Sequence, residues 1–274
     1  LPVLCLSLFL FGWDALRLIF VSILGSILAE WGGAVLMDRE LKLLNGSSVW
    51  TGLFYAALLP PATPSFFAFV SIFLGCMLAR ELLGGMGSNF FDPSLFARAG
   101  VAMYFPAGVY QEVYPLDYNW IIRGLAFLKN DLLQFLPGSA ASFAGSLSSD
   151  LGCVSGLLIL ILGVWVLARK WVRYETPLIF LVVTLIIGKY FHGESIWIIF
   201  SPPVLFTAFF FFLDPVYTPC NRAGMRWFVL GVSVLSAWGG FSGDYFLRSS
   251  LAVLAGHLFV PWLDIWFRPK GVKK

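Results

Sequence analysis

The residues able to do chemistry in this chain are few, and they stand at breaks in long apolar runs. The densest group is Gly84-Gly85-Met86-Gly87-Ser88-Asn89-Phe90-Phe91-Asp92-Pro93. An amide and a carboxylate sit three residues apart there. The stretch puts small residues, an amide and a carboxylate at a helix break. A second group, Leu213-Asp214-Pro215-Val216-Tyr217-Thr218-Pro219, follows the four phenylalanines Phe209 to Phe212. A third is Asn45-Gly46-Ser47-Ser48-Val49-Trp50-Thr51-Gly52, leading on to Leu58-Leu59-Pro60-Pro61. Broken helices of this kind offer backbone N–H and C=O groups to a cofactor or an ion. Glu30 lies alone inside an apolar run. It reads as an ion-pathway residue, or as a protonated carboxyl bonded to a neighbouring helix. Asp214 reads as an ion ligand, or as the N-cap of the next segment.

The elements that must position these groups follow from composition. The 274 residues are 59% hydrophobic and 12% charged, with 28 Phe and 11 Trp, and a mean hydropathy of +0.85. Soluble domains carry about 25% charge. Half that charge cannot keep a surface of this size in water. A disordered chain, a nucleic-acid binder and an ordinary cytosolic enzyme are thereby excluded. The expectation is an all-α polytopic membrane protein forming one domain over residues 1–274. Ten apolar segments can be drawn: 1–11, 15–37, 47–60, 62–83, 94–110, 151–168, 177–191, 195–213, 224–239 and 246–267. Several are shorter than a full span, as cavity-lining segments often are. The chain opens at Leu1 inside an apolar run without a basic leader, so segment 1–11 does not read as a signal peptide, and a start further upstream is expected.

Basic residues orient the segments. With the C-terminal tail in the cytoplasm, 13 of the 18 Lys and Arg fall inside and five outside. This split agrees with the positive-inside rule and with ten crossings. It places the long loop 111–150 outside, with 119–135 as an interfacial amphipathic helix. Arg123, Lys129 and Asp131 would then face water.

At the three motifs the sequence resembles the RnfD and NqrB family. These are membrane subunits of the Rnf ferredoxin:NAD oxidoreductase and of the sodium-pumping NADH:quinone oxidoreductase. The family writes the first stretch as D-G-S-A-x-x-T-G with a following L-P-P, the second as G-G-x-G-x-N-P-F-N-P, and the third as F-F-M-A-T-D-P-V-T-x-P. Leu28-Ala29-Glu30 and Pro261-Trp262-Leu263-Asp264 also look like the family. RnfD is the nearer by length. The resemblance implies two inverted halves with a urea-transporter-like fold. It implies a subunit that carries electrons across the bacterial inner membrane on flavin, coupled to Na⁺ or H⁺ movement, beside other subunits of a redox complex. On that reading Gly85, Gly87, Asn89 and Asp92 contact a non-covalent riboflavin or FMN, and Glu30 and Asp214 are ion-pathway candidates.

The departures are specific. Phe90 replaces the family's Pro, Asp92 its Asn, and Leu213 the Thr before Asp-Pro-Val. The family attaches a second flavin, FMN, to the Thr of an S-G-A-T motif. This chain has no such motif. The nearest echo is Ser139-Ala140-Ala141-Ser142-Phe143, where Ser142 lacks both the Gly and the Thr, so covalent FMN is not expected. The two histidines, His192 and His257, sit at unequal depths for a bis-His haem. The cysteines at 5, 76, 153 and 220 form no CxxC, so neither a metal site nor a disulfide framework is read from them. Two rivals stand beside the redox reading. One is a flavin-poor scaffold subunit of another respiratory complex. The other is a channel or transporter on the same fold, which the bulky Phe206 and Phe209 to Phe212 argue against.

Overall fold

The computed structural model describes residues 1–38, 45–82, 91–104, 150–192, 196–238 and 245–268. Every apolar segment carries a helix. The helices are α1 (Pro2–Phe11), α2 (Trp13–Leu36), α3 (Ser47–Ala57), α4 (Ser65–Cys76), α5 (Pro93–Tyr104), α6 (Gly156–Ala168), α7 (Glu175–His192), α8 (Pro202–Phe210), α9 (Arg222–Ala237), α10 (Tyr245–His257) and α11 (Val260–Trp266). No strand occurs among the described residues. α4 runs into a π-helical turn, Met77–Glu81. A 3₁₀ turn, Leu151–Cys153, precedes α6, and another, Ile196–Phe200, precedes α8.

Local chemistry sets the ends. Proline starts α1, α5, α8 and α11, where its missing N–H costs nothing. Ser155 and Asn221 cap α6 and α9 by accepting from the N–H of Leu158 and Ala223. Pro60-Pro61 and Asp214-Pro215 follow two short helices, α3 with 11 residues and α8 with nine. Among the described helices, only α2 is long and apolar enough to cross a bilayer by itself. The pair α10 and α11, bent by 50°, would together make a second such span. The remaining apolar segments are helical but shorter. Apolar side chains also point outward, among them Phe20, Trp31, Ile161, Leu178 and Ile186. That is the surface a lipid-facing helix presents, and the reason the hydrophobic periodicity is weak.

The order of packing partners recurs in the two halves. α2 packs on α3 and α4, α4 on α5, and α3 on α5. Likewise α7 packs on α8 and α9, α9 on α10, and α8 on α10. The halves meet where α5 packs on α10. In each set the short second helix, α3 or α8, ends at a proline break. Close approach of α2 and α3 depends on Gly52, where an added Cβ would lie 2.7 Å from the Cα of Ile23. This gives the Thr51-Gly52 pair of the first motif a packing role.

Arg80 and Arg98 are two of the 13 basic residues that the charge count assigns to the inside, and both are interior. Arg80 is ion-paired with Glu81 and Arg98 with Asp150. They therefore stand for no membrane side. The inner count falls to eleven against five, which keeps its sign but weakens its support for ten crossings.

Candidate functional site

The short helices α3 and α8 face each other across a cavity of about 540 Å³. All three sequence motifs reach it. Trp50 and Thr51 come from the first, Asp92 and Pro93 from the second, and Leu213, Asp214, Pro215 and Tyr217 from the third. Residues far apart in the chain thus line one cavity, at whose wall Phe54 of α3 meets Phe206 of α8. The ring of Phe54 stacks on Phe206 with centroids 6.1 Å apart and meets Phe211 edge-on at the same distance. Trp165 and Trp171, T-shaped at 5.2 Å, also line the space, with Phe210.

The polar groups are held by their own turns. Asp92 Oδ1 accepts the N–H of Ser94 at 2.8 Å, capping α5 at its proline start. Asp214 Oδ1 accepts the N–H of Val216 at 2.9 Å. The two Asp-Pro dipeptides therefore build the same Asx turn, one in each half. Both carboxylates are half-buried, and they lie near enough to repel one another. Asp214 does cap, but it caps this turn; the cap of the next helix is Asn221. No Lys, Arg or His is among the described lining residues. The cavity is therefore aromatic-walled, with an acidic edge.

Glu30 is elsewhere. It sits on α2 in a buried cluster with Arg80 and Glu81 of the π-helical turn, none of them more than 6% exposed. Arg80 donates from Nε to Glu81 Oε1 at 2.8 Å and from Nη2 to Ser48 Oγ at 3.0 Å, and its Nη2 lies 3.8 Å from Glu30 Oε2. The Ser48 hydroxyl donates to Glu30. Two carboxylates share one guanidinium. The π-turn brings Arg80 and Glu81 inward together. Gly33 makes room for them, since an added Cβ there would lie 2.5 Å from Glu81 Cβ. The cluster is tied to the cavity through Thr51. Arg80 Nη1 donates to Thr51 Oγ1 at 3.5 Å, and Ser94 Oγ donates to the Thr51 carbonyl at 3.2 Å.

Of the residues that the sequence marks as candidates, Asp92 and Asp214 share the cavity, and Glu30 joins it at one remove. Gly85, Gly87 and Asn89 lie outside the described residues, as do Ser142 and the loop 111–149. Asp150, at the end of that loop, accepts from Arg98 Nη2 at 3.2 Å. Sequence reasoning misses Arg80 and Glu81 as chemistry, although the pair Arg80-Glu81 within an apolar segment is a legible signal; Thr51 it holds only as part of the Asn45–Gly52 motif. His257 is buried between Tyr217 and Phe228, with ring centroids 5.5 and 6.2 Å away, so one aromatic ring separates it from the cavity. The side chain of His192 lies outside the described residues. No cluster of His, Cys, Asp and Glu able to hold a metal occurs among the described residues. Cys76 and Cys153 are buried, and Cys5 and Cys220 exposed.

Known proteins resemble this chain along its whole length. The D-type subunit of the ion-translocating oxidoreductase complex of Stutzerimonas stutzeri is 29% identical over 99% of this chain and 88% of its own. Its counterpart in the Na(+)-translocating ferredoxin:NAD(+) oxidoreductase complex of Acetobacterium woodii is 26% identical over 100% and 88%. That of the proton-translocating ferredoxin:NAD(+) oxidoreductase complex of Clostridium ljungdahlii is 23% identical over 98% and 87%. The model of the NQR2, RnfD, RnfE family matches residues 1–273, and with the three motifs gathered on one cavity the chain belongs to that family.

Proposed function

We propose that the chain is a bilayer-embedded subunit of an ion-translocating electron-transport complex, with its C-terminus in the cytoplasm, and that the cavity between α3 and α8 binds a flavin without a covalent bond. The observation that carries this reading is the convergence of all three motifs on one cavity. Its volume lies in the range of small-molecule sites, roughly 300–1,000 Å³. Its aromatic walls suit a flat tricyclic ring, which stacks favourably on Phe and Trp. Bound there, the flavin supplies reversible electron transfer. The chain's own residues do the rest. Phe54, Phe206 and Phe211 exclude water. Asp92 and Asp214 accept hydrogen bonds from sugar-alcohol hydroxyls or a ring N–H. The flavin bound there is riboflavin or FMN. Glu30, sharing Arg80 with Glu81, takes up the proton or cation that accompanies electron transfer, and Thr51 links that cluster to the cavity.

The repeated packing order supports two related halves, and a site between broken helices at their junction is where such folds bind ligand. Partners are the other membrane subunits of the complex. The test is to purify the assembled complex, denature it, and follow flavin fluorescence in the released fraction and on this subunit's gel band. Flavin in the released fraction, with a dark band, is the expected result. A fluorescent band would mean covalent attachment. Flavin in neither would overturn the electron-carrier reading and leave a scaffold or a channel.

A further inference from the structure

Away from the cavity, three arginines gather around one carboxylate. Glu175 begins α7, and its Oε2 accepts from Arg226 Nε at 2.7 Å. Arg173, in the turn before α7, and Arg222, the first residue of α9, also act on the charge of Glu175. These four residues meet Thr176, Ile179 and Met225 in a shallow groove between the two helix starts, too narrow to admit a water molecule, so a ligand would lie on the exposed outer face of the arginines. Three positive charges meet one negative, so a surplus of two remains at an exposed site. The N-termini of α7 and α9 both point here and add their positive dipole ends.

The surroundings mark the depth. Trp171, Tyr174 and Trp227 stand beside the groove and are 61%, 71% and 57% exposed. Amphipathic rings of this type collect at the headgroup level of a bilayer. Beyond them along α7, the exposed residues Leu178, Val182 and Ile186 recur every fourth position and form an outward apolar track. The groove, the aromatic residues and the apolar track all belong to α7, the turn before it and the start of α9.

We propose that Arg173, Arg222 and Arg226 hold the phosphate of an anionic phospholipid headgroup, whose acyl chain lies along α7. Guanidinium forks suit phosphate oxygens, and basic grooves between helices on the cytoplasmic side bind such headgroups. Glu175 orients Arg226 and lowers the surplus from three to two, so it moderates affinity. This site rests on the bilayer reading above and not on the flavin: none of the residues lining the groove lines the cavity, and of its aromatic rim only Trp171 does.

The test uses the full chain in neutral detergent. Its thermal midpoint is followed while phosphatidylglycerol, phosphatidylcholine or inorganic phosphate is titrated in. Phosphatidylglycerol should raise the midpoint and phosphatidylcholine should not. Inorganic phosphate at the same concentration should act weakly, because it lacks the acyl contact. Arg173→Gln and Arg222→Gln should each weaken the phosphatidylglycerol effect about fivefold. Glu175→Gln should strengthen it, an outcome that a merely structural pair would not give. Flavin content should be unchanged in all three variants. Equal action of the two lipids, equal action of inorganic phosphate, or a weakened response in Glu175→Gln would each overturn the proposal. So would loss of the effect in the assembled complex, which would assign the groove to an acidic subunit. If the Gln variants do not fold, Arg→Lys variants and a salt titration of the unaltered chain replace them. A lipid effect that survives high salt would then be the contrary result.

Discussion

At the residue scale, the sharpest contrast is between Asp92 and Arg80. Asp92 stands out in the sequence because an Asp-Pro after glycines is a break with a carboxylate in it, and the structure puts it on the cavity. Arg80 does not, because a basic residue near a segment end looks like a topogenic charge. Only the π-turn, a feature without a sequence signature, turns it inward. Two expectations belong here. Asp92→Asn restores the residue that the family writes here and keeps a capping oxygen for the Ser94 N–H, so fold and flavin content should both persist, read as flavin per protein after gel filtration. Asp92→Ala should lower stability by about 1 kcal/mol, read in denaturant or thermal unfolding. Arg80→Leu leaves Glu30 and Glu81 buried together without that guanidinium. It should cost about 3–5 kcal/mol, and adding Glu81→Gln should recover part of that loss.

At the element scale, the apolar segments are legible because hydropathy alone draws them, and each carries a helix. Their lengths are less so. The segment 62–83 breaks after Thr63-Pro64 and ends in the π-turn, and 195–213 divides into a 3₁₀ turn and α8. These breaks come from proline and from packing, which a hydropathy window averages away. The contact of α2 with the π-turn predicts that Gly33→Ala will force Glu81 outward and cost about 1–3 kcal/mol, measurable as a lower thermal midpoint. The α7–α9 clip predicts a pH effect. The hydrogen bond from Arg226 holds the Glu175 carboxyl below its ordinary value of 4.5. A lowered carboxyl stabilises the fold above its ordinary value and loses that contribution as pH falls through the lowered one. The midpoint difference between the unaltered chain and Glu175→Gln should therefore be constant near neutrality and shrink as pH falls below 4.5 and through the lowered value.

At the scale of the whole molecule, what escapes the sequence is the pairing. Nothing local says that Phe54 will meet Phe206, or that Arg98 on α5 will meet Asp150 at the entry to the second half. Both are long-range contacts, decided by how the two helix sets seat on each other. Arg98→Leu should leave Asp150 buried without its guanidinium, and loosen the junction by about 3–5 kcal/mol in unfolding measurements. The paired Asp-Pro turns carry a further consequence. Each half holds one Asx turn of the same make at the same cavity, so a change in one half has its matched control in the other. Asp92→Asn and Asp214→Asn are two experiments on one design, made in one polypeptide and read on one ligand. Any difference between them measures how far the halves have diverged in duty, with expression, lipid and detergent cancelled out.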